Sequence, residues 1–175
     1  MKRTVLRYGI ISAIVILALF LLEWAIFSAK PNYEAQEVFG FASMGVSLLF
    51  VFFGIKHYRD RENGGRLSFG QGLKVGILIV LIPSLVFGLY NLLYVTVLNP
   101  DFVETYYKYY LAEAQKTMTA AEFEKARPEM DAKNSMFANP FVGSLIMSLT
   151  VFIIGVIITV ISSLILRRDP RAAAA

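Results

Sequence analysis

The stretch from Phe141 to Leu166 reads FVGSLIMSLTVFIIGVIITVISSLIL and contains no charged residue. An α-helix rises 1.5 Å per residue, so about 20 apolar residues cross the roughly 30 Å hydrocarbon core of a bilayer. Strands of a membrane barrel would instead alternate apolar and polar residues over segments of about ten. Because this apolar run is long and continuous, it predicts a membrane-spanning helix.

Three other stretches meet or approach the same length. Together the four predict an all-α integral membrane protein, a four-helix bundle with spans at 5–27, 38–55, 73–98 and 141–166. We expect one four-span membrane domain over 1–171, and we interpret the alanines of 172–175 as a cloning remnant. The first apolar run is too long for a cleaved signal peptide, so we expect it to remain as an anchor.

The composition of the 175-residue chain excludes several classes of protein. It has 57% hydrophobic and 17% charged residues, whereas soluble domains have about 25% charged residues. It has no cysteine, which excludes disulfide scaffolds, thiolate catalysis and iron–sulfur clusters. The single histidine, His57, excludes a multi-histidine metal site within one chain. We therefore predict neither a metal nor a cofactor.

Lysine and arginine are distributed unevenly around the predicted spans. They are concentrated at the N-terminus, in the 56–74 loop and at the C-terminus, whereas most acidic residues lie between the third and fourth spans. The positive-inside rule then predicts that both termini are cytoplasmic and that the 99–140 loop is extracytoplasmic. We expect the basic side chains to contact anionic headgroups rather than nucleic acid. The candidates are Arg59, Arg61, Arg66 and Lys74.

The loop before the third span has clear local signals. Gly64-Gly65 predicts a tight turn with positive φ angles. Ser68 and Gln71 match a capping box, which predicts that the third helix begins at Phe69. Small residues then recur at intervals of four, at Ser68, Gly72 and Gly76. This spacing predicts a helix-packing seam, and the alternative is an anionic ligand at the capped helix N-terminus.

The loop over 99–140 is long enough to have structure of its own, and we expect a small cap of two helices over 101–138. Thr119 and Glu122 match a second capping box, and Pro128 should interrupt or end the helix that follows. One face of the first cap helix has Phe102, Val103, Tyr106, Tyr110 and Ala114, flanked by Tyr107 and Tyr109. The tyrosines suit an interfacial aromatic belt, and the alternative is a ligand cage.

Glu23 is the one ionisable residue deep in a predicted span, and it lies near the outer end beside Trp24. Polar residues of the other spans fall in the same half of the membrane, namely Ser43, Ser47, Asn91, Tyr94, Ser144 and Ser148. They could form an outward-facing polar pocket in which Glu23 binds a proton or a cation. Alternatively, Glu23 reaches the headgroups and the other residues make hydrogen bonds between helices.

Several short motifs resemble those of a known family. They are Lys56-His-Tyr-Arg-Asp60, Gly64-Gly65, Leu67-Ser-Phe-Gly70, Gly72-Leu-Lys-Val-Gly76 and Asn99-Pro-Asp-Phe102. With these motifs the chain resembles, over nearly its whole length, the domain of unknown function 4199 family. Members of that family are small four-span inner-membrane proteins, chiefly of Bacteroidota. The resemblance implies a bacterial inner-membrane protein and transfers no activity, cofactor or catalytic residue.

The sequence has no nucleophile elbow, phosphate-binding loop or paired His-Glu motif, so we expect no enzymatic activity. The leading hypothesis is a non-enzymatic membrane subunit or assembly partner. Its glycine seam would pack against a second copy or another membrane protein, and its outer cap would contact a partner. The alternative is a small transporter or lipid-binding carrier with a pocket at Glu23 and Asn91. A lipid-modifying enzyme is the third hypothesis.

Overall fold

The computed structural model describes residues 1–168, so the stretch 172–175 lies outside the described residues. The described chain forms six α-helices, namely α1 Lys2–Phe27, α2 Tyr33–His57, α3 Phe69–Leu93, α4 Phe102–Thr117, α5 Ala120–Ala138 and α6 Pro140–Leu166. Two π-helical turns extend α2 and α3, over Tyr58–Glu62 and Tyr94–Leu98.

Four helical segments are long and apolar enough to cross a membrane, namely Lys2–Phe27, Tyr33–Glu62, Phe69–Leu98 and Pro140–Leu166. The prediction of an all-α protein with four spans is therefore confirmed. The second helix begins before the predicted residue 38 because Asn32 caps it. The side-chain oxygen of Asn32 accepts a 3.0 Å hydrogen bond from the backbone N–H of Ala35, which satisfies a free donor of the first turn.

The loop between α2 and α3 has the local structure that its sequence predicts. Gly64 and Gly65 have φ angles of 62° and 77°, a left-handed conformation that glycine adopts without steric cost. The N–H of Gln71 donates to Ser68 Oγ over 3.3 Å, and the N–H of Ser68 donates to Gln71 Oε1 over 3.0 Å. This reciprocal capping box explains why α3 begins at Phe69.

One compact unit consists of Met1–Phe87 and the described residues from Ser148 onward. Its interior holds apolar side chains from α1, α2, α3 and α6, including Ile16, Leu48, Ile79, Phe87 and Val151. Other apolar side chains of the same helices are exposed, including Ile14, Phe41, Leu85 and Ile153. Such exposure suits helices that face lipid, because lipid tails are as apolar as leucine.

A second compact unit consists of Gly88–Met147, and it includes α4 and α5. These two helices form an antiparallel hairpin with a small apolar core of its own. The core contains Ala114, Phe123 and Met130, with Tyr107, Leu111 and Ala126 packed against them. The predicted capping box of Thr119 and Glu122 is present at the start of α5. The prediction of a single domain over 1–171 stays a prediction.

One expectation for the hairpin is wrong. Pro128 does not end its helix, because α5 continues to Ala138. The carbonyl that proline leaves unpaired is that of Glu124, which is exposed and can bond to water instead. On α4, Tyr107 packs against the hairpin core, while Tyr110 is exposed.

Candidate functional site

Glu23 lies in the last two turns of α1 and is partly buried. At Gly40 of α2, an added Cβ would lie 3.9 Å from Glu23 Oε2. Within residues 1–168, no donor reaches this buried oxygen. A carboxylate oxygen without a donor is costly in an apolar environment, and it marks the position as a candidate site for a proton or cation.

The predicted pocket also included serines of the first unit, and two of their hydroxyls are engaged elsewhere. Ser47 Oγ donates to the carbonyl of Met44 over 2.9 Å, and Ser148 Oγ donates to the carbonyl of Ser84 over 2.8 Å. Ser43 is buried in α2. Of these two bonds, only that of Ser148 joins two helices, α6 and α3, whereas that of Ser47 lies within α2.

Asn91 and Tyr94 belong to the second unit, where each has a partner. Ser144 Oγ on α6 donates to Asn91 Oδ1 on α3 over 3.2 Å. The Asn99 amide nitrogen donates to the Tyr94 hydroxyl over 3.2 Å. Both groups therefore have structural contacts, and the polar pocket with Glu23 stays a prediction.

Tyr94 is also part of a run of neighbouring aromatic rings. The centroids of successive rings lie 5.2–6.4 Å apart, in the order Tyr90, Tyr94, Phe102, Tyr106 and Tyr109. These separations fall in the range of favourable aromatic pairs. The five rings therefore form one continuous aromatic row, and the choice between an interfacial belt and a ligand cage stays a prediction.

The predicted seam of α3 packs against α6 of the same chain. A Cβ added at Gly72 would lie 2.7 Å from Ser163 Oγ, and one added at Gly76 would overlap Thr159. Ser68, the first residue of the seam, caps α3 instead. The two glycines therefore allow α3 and α6 to approach closely, and this face of α3 is already occupied.

Among the four predicted headgroup contacts, Arg59 differs from the other three in its burial. Its side chain is buried, with 7% of the residue exposed, because it joins two parts of the first unit. Its Nε lies 2.6 Å from Asp60 Oδ1, and its Nη1 donates to the carbonyl of Leu166 over 3.3 Å. Exposed basic side chains remain at Arg61, Arg66 and Lys74.

The hairpin surface is polar and has several ion pairs within single helices. Lys108 pairs with Glu104, and Lys116 with Glu113, over 2.5 Å and 2.6 Å. Three large apolar side chains are nevertheless exposed on it, with exposed fractions of 43%, 38% and 54% for Tyr110, Met118 and Met136. Sequence patterns did not single out the two methionines, because an isolated methionine among charged residues has no periodic signal.

Comparison with known proteins gives one informative match. The family model described as "Protein of unknown function (DUF4199)" matches residues 7–168. The chain belongs to the DUF4199 family. This match confirms the family that the loop motifs indicate, and it takes in all four apolar helices and the hairpin of this DUF4199 protein. A search of the curated proteins and one of the solved structures find no match.

Among residues 1–168 of this DUF4199 protein, no group of three or more histidine, aspartate or glutamate side chains could hold a metal ion. A function for this protein has to account for three polar features, namely Glu23, the hairpin surface and the exposed basic residues of the α2–α3 loop.

Proposed function

We propose that this DUF4199 protein is a non-enzymatic membrane subunit that binds a partner protein through its α4–α5 hairpin. The observation that carries the proposal is the exposure of Tyr110, Met118 and Met136 on a hairpin whose own apolar core is already complete. Aromatic residues and methionine are enriched in protein interfaces, and methionine adapts well to a partner's shape. These side chains are not needed for the hairpin core, so they are free to contact a partner.

The packing of the spans favours the hairpin over the glycine seam as the contact surface. Because Gly72 and Gly76 are covered by α6 of the same chain, a partner helix has no access to them. The expectation that the seam binds a second copy is therefore replaced by a contact through the hairpin.

The experiment is affinity purification of the tagged full chain after gentle extraction, with mass spectrometry of the co-purified proteins. The variant Tyr110→Ser with Met136→Ser is expected to lose a stoichiometric partner. The matched control is Lys125→Ser, which alters an exposed residue of the same hairpin and should retain the partner. A partner retained by the double variant, or the absence of any stoichiometric protein from the wild type, would contradict the proposal.

The proposed location is the inner membrane of a bacterium, with both termini cytoplasmic and the hairpin outside. The support is the basic character of the α2–α3 loop, where exposed Arg61, Arg66 and Lys74 would contact anionic headgroups. Single-cysteine labelling tests it directly, because the chain has no native cysteine. An impermeant maleimide should label Ser135→Cys in intact spheroplasts and Arg66→Cys only after lysis. The reverse pattern would invert the topology.

A carrier is the second candidate function, because Glu23 Oε2 is buried without a donor among the described residues. In this function Glu23 binds a proton during transport. Proteoliposomes with an internal pH-sensitive dye would show proton uptake, and Glu23→Gln should abolish it. Glu34→Gln, which alters an exposed acid at the start of α2, should leave uptake unchanged. Equal uptake by wild type and Glu23→Gln would exclude this function.

A further inference from the structure

A cavity of about 450 Å³ lies where the start of α1 meets the end of α2. It is lined by Arg3, Thr4, Arg7, His57 and Glu62. These residues come from three elements, namely the first two turns of α1, the last residue of α2 and the π-helical turn that follows. None of them is among the predicted site residues, because Arg7 and His57 lie fifty positions apart in the sequence.

The only acid in the lining, Glu62, is neutralised within the fold. The buried hydroxyl of Thr4 donates a hydrogen bond to Glu62 Oε1, and the α-amino group of Met1 pairs with Glu62 Oε2. By contrast, Arg3 and Arg7 have no acidic partner within residues 1–168. The cavity is therefore positively charged, with two guanidinium groups available to an anion.

Neighbouring side chains hold this basic group in place. Arg3 and Arg7 are four residues apart on α1, so their side chains project from the same face of the helix. The guanidinium carbon of Arg7 lies 5.8 Å from the centroid of the Tyr8 ring, within the range of a cation–π contact. The Tyr8 ring in turn lies 5.6 Å from the His57 ring. Arg7 of α1 and His57 of α2 are thus linked through the Tyr8 ring.

We propose that this cavity binds a phosphate group, either a monoester or a diester. Guanidinium groups donate two parallel hydrogen bonds to phosphate oxygens, and two arginines with a nearby imidazole supply enough donors for one phosphate. Arg7 directly precedes the apolar run of α1, so the cavity lies at the depth of lipid headgroups. A lipid headgroup and a soluble phosphate compound share this chemistry. The site uses no residue of the hairpin, so it stands independently of the partner proposed above.

The test is native mass spectrometry of the full chain in detergent micelles, titrated with phosphatidylglycerol. Diacylglycerol of the same chain length is the control lipid, because it lacks the phosphate. We expect wild type to bind phosphatidylglycerol and not diacylglycerol. The variant Arg3→Gln with Arg7→Gln should raise the Kd for phosphatidylglycerol at least tenfold, which corresponds to about 1.4 kcal/mol. The matched control, Lys30→Gln with Lys125→Gln, removes the same charge at exposed positions outside the cavity and should change the Kd less than about twofold.

Three results would overturn the site: an equal rise of Kd in both pairs of variants, an unchanged Kd in the cavity pair, or equal binding of diacylglycerol. If the cavity pair fails to fold, Arg3→Lys with Arg7→Lys preserves the charge and should retain weaker binding. Loss of that binding to the level of an unrelated membrane protein would also count against the proposal.

Inorganic phosphate then distinguishes the two sources of the ligand. If phosphate binds wild type, displaces phosphatidylglycerol and fails to bind the cavity pair, the ligand is a soluble phosphate compound. If it does not displace the lipid, while the cavity pair still loses the lipid, the ligand is a headgroup. Both results support the phosphate site, and a wild type that binds neither phosphatidylglycerol nor phosphate would exclude it.

Discussion

The phenol of Tyr107 on α4 donates a hydrogen bond to the carboxylate of Asp131 on α5. Arg127 approaches the same carboxylate, with its Nε 3.2 Å from Asp131 Oδ1. The bond from Tyr107 holds the pKa of Asp131 below the ordinary value of an aspartate, and the Arg127 charge acts in the same direction. The same bond raises the pKa of the Tyr107 phenol. This pair joins the two helices of the hairpin at the end away from their short connection.

The pair predicts two limits in pH for the link between α4 and α5. Because the pKa of Asp131 is lowered, its contribution to the stability of the hairpin is present above the ordinary aspartate pKa. That contribution is lost as pH falls through the lowered value. Because the pKa of Tyr107 is raised, its contribution to the stability of the hairpin is present below the ordinary tyrosine pKa. That contribution is lost as pH rises through the raised value. We therefore expect the link to be complete at neutral pH.

NMR titration of chains with 13C-labelled tyrosine measures the Tyr107 pKa, with Tyr107→Phe to assign its resonance. Asp131→Asn should bring that pKa back toward the ordinary value, since the neutral amide no longer stabilises the protonated phenol. The control is Glu124→Gln, which alters an exposed acid on α5 that is not in the pair. A Tyr107 titration that is identical in wild type and Asp131→Asn would show that the bond is absent in solution.

The spans, the capping boxes and the glycine turn could be predicted because each depends on adjacent residues. Ser68 and Gln71 are three positions apart, and the first turn of a helix has the same free donors wherever it occurs. The continuation of α5 past Pro128 could not be predicted in this way. Whether a proline ends a helix depends on what surrounds the carbonyl that it leaves free, and that is a property of the folded chain.

Long-range contacts were equally inaccessible to sequence patterns. Arg59 looks like any other basic residue of a cytoplasmic loop, yet it bonds to the carbonyl of Leu166, more than a hundred positions away. The spacing of Gly72 and Gly76 indicated a close helix approach but not which helix approaches. Small residues reveal that a neighbour is near, while the neighbour is decided by how all four spans pack.

The approach of α3 to α6 predicts opposite effects for two glycine substitutions in one helix. A Cβ at Gly76 would overlap the β-branched side chain of Thr159, whereas at Gly70 it would meet open space. Overpacking costs about 1–3 kcal/mol, while alanine in a helix gains up to about 1 kcal/mol over glycine. We expect Gly76→Ala to lower the free energy of unfolding by on the order of 1 kcal/mol and Gly70→Ala to leave it unchanged or raise it.

Thermal unfolding of the purified chain in detergent, followed by circular dichroism, compares these two variants with wild type. The loss of stability in Gly76→Ala should be present in the monomer, since Gly76 and Thr159 belong to one chain. If Gly76→Ala unfolds at the wild-type temperature but loses a homo-oligomer, the glycine face would be an interface between copies instead.

Arg59 predicts a larger stability effect than its exposed neighbour Arg61. Removing Arg59 takes a donor from the Leu166 carbonyl and leaves Asp60 without its partner. A buried group that loses its partner costs about 1–3 kcal/mol. We expect Arg59→Met to lower the free energy of unfolding by on the order of 2 kcal/mol, and Arg61→Met to change it by about 0.5 kcal/mol or less.

Chemical unfolding in mixed micelles, monitored by circular dichroism, gives both free energies under one condition. Methionine replaces the arginine stem with a similar apolar length, so the comparison isolates the guanidinium group. Equal stabilities for the two variants would mean that Arg59 is solvated in the membrane and available to headgroups, as its sequence context suggested.

The hydrogen bond between Ser144 and Asn91 predicts a small, measurable coupling between α6 and α3. Hydrogen bonds between membrane helices average about 0.6 kcal/mol, because the unfolded chain also finds partners in the membrane. A double-mutant cycle of Ser144→Ala and Asn91→Leu should therefore yield a coupling of about that size. Thr96→Val is the matched control, since the Thr96 hydroxyl donates to the carbonyl of Leu92 in its own helix and should show no coupling with Ser144. A Ser144–Asn91 coupling near zero would show that Asn91 does not hold the helices together, and its amide would then be free for the ligand of a carrier.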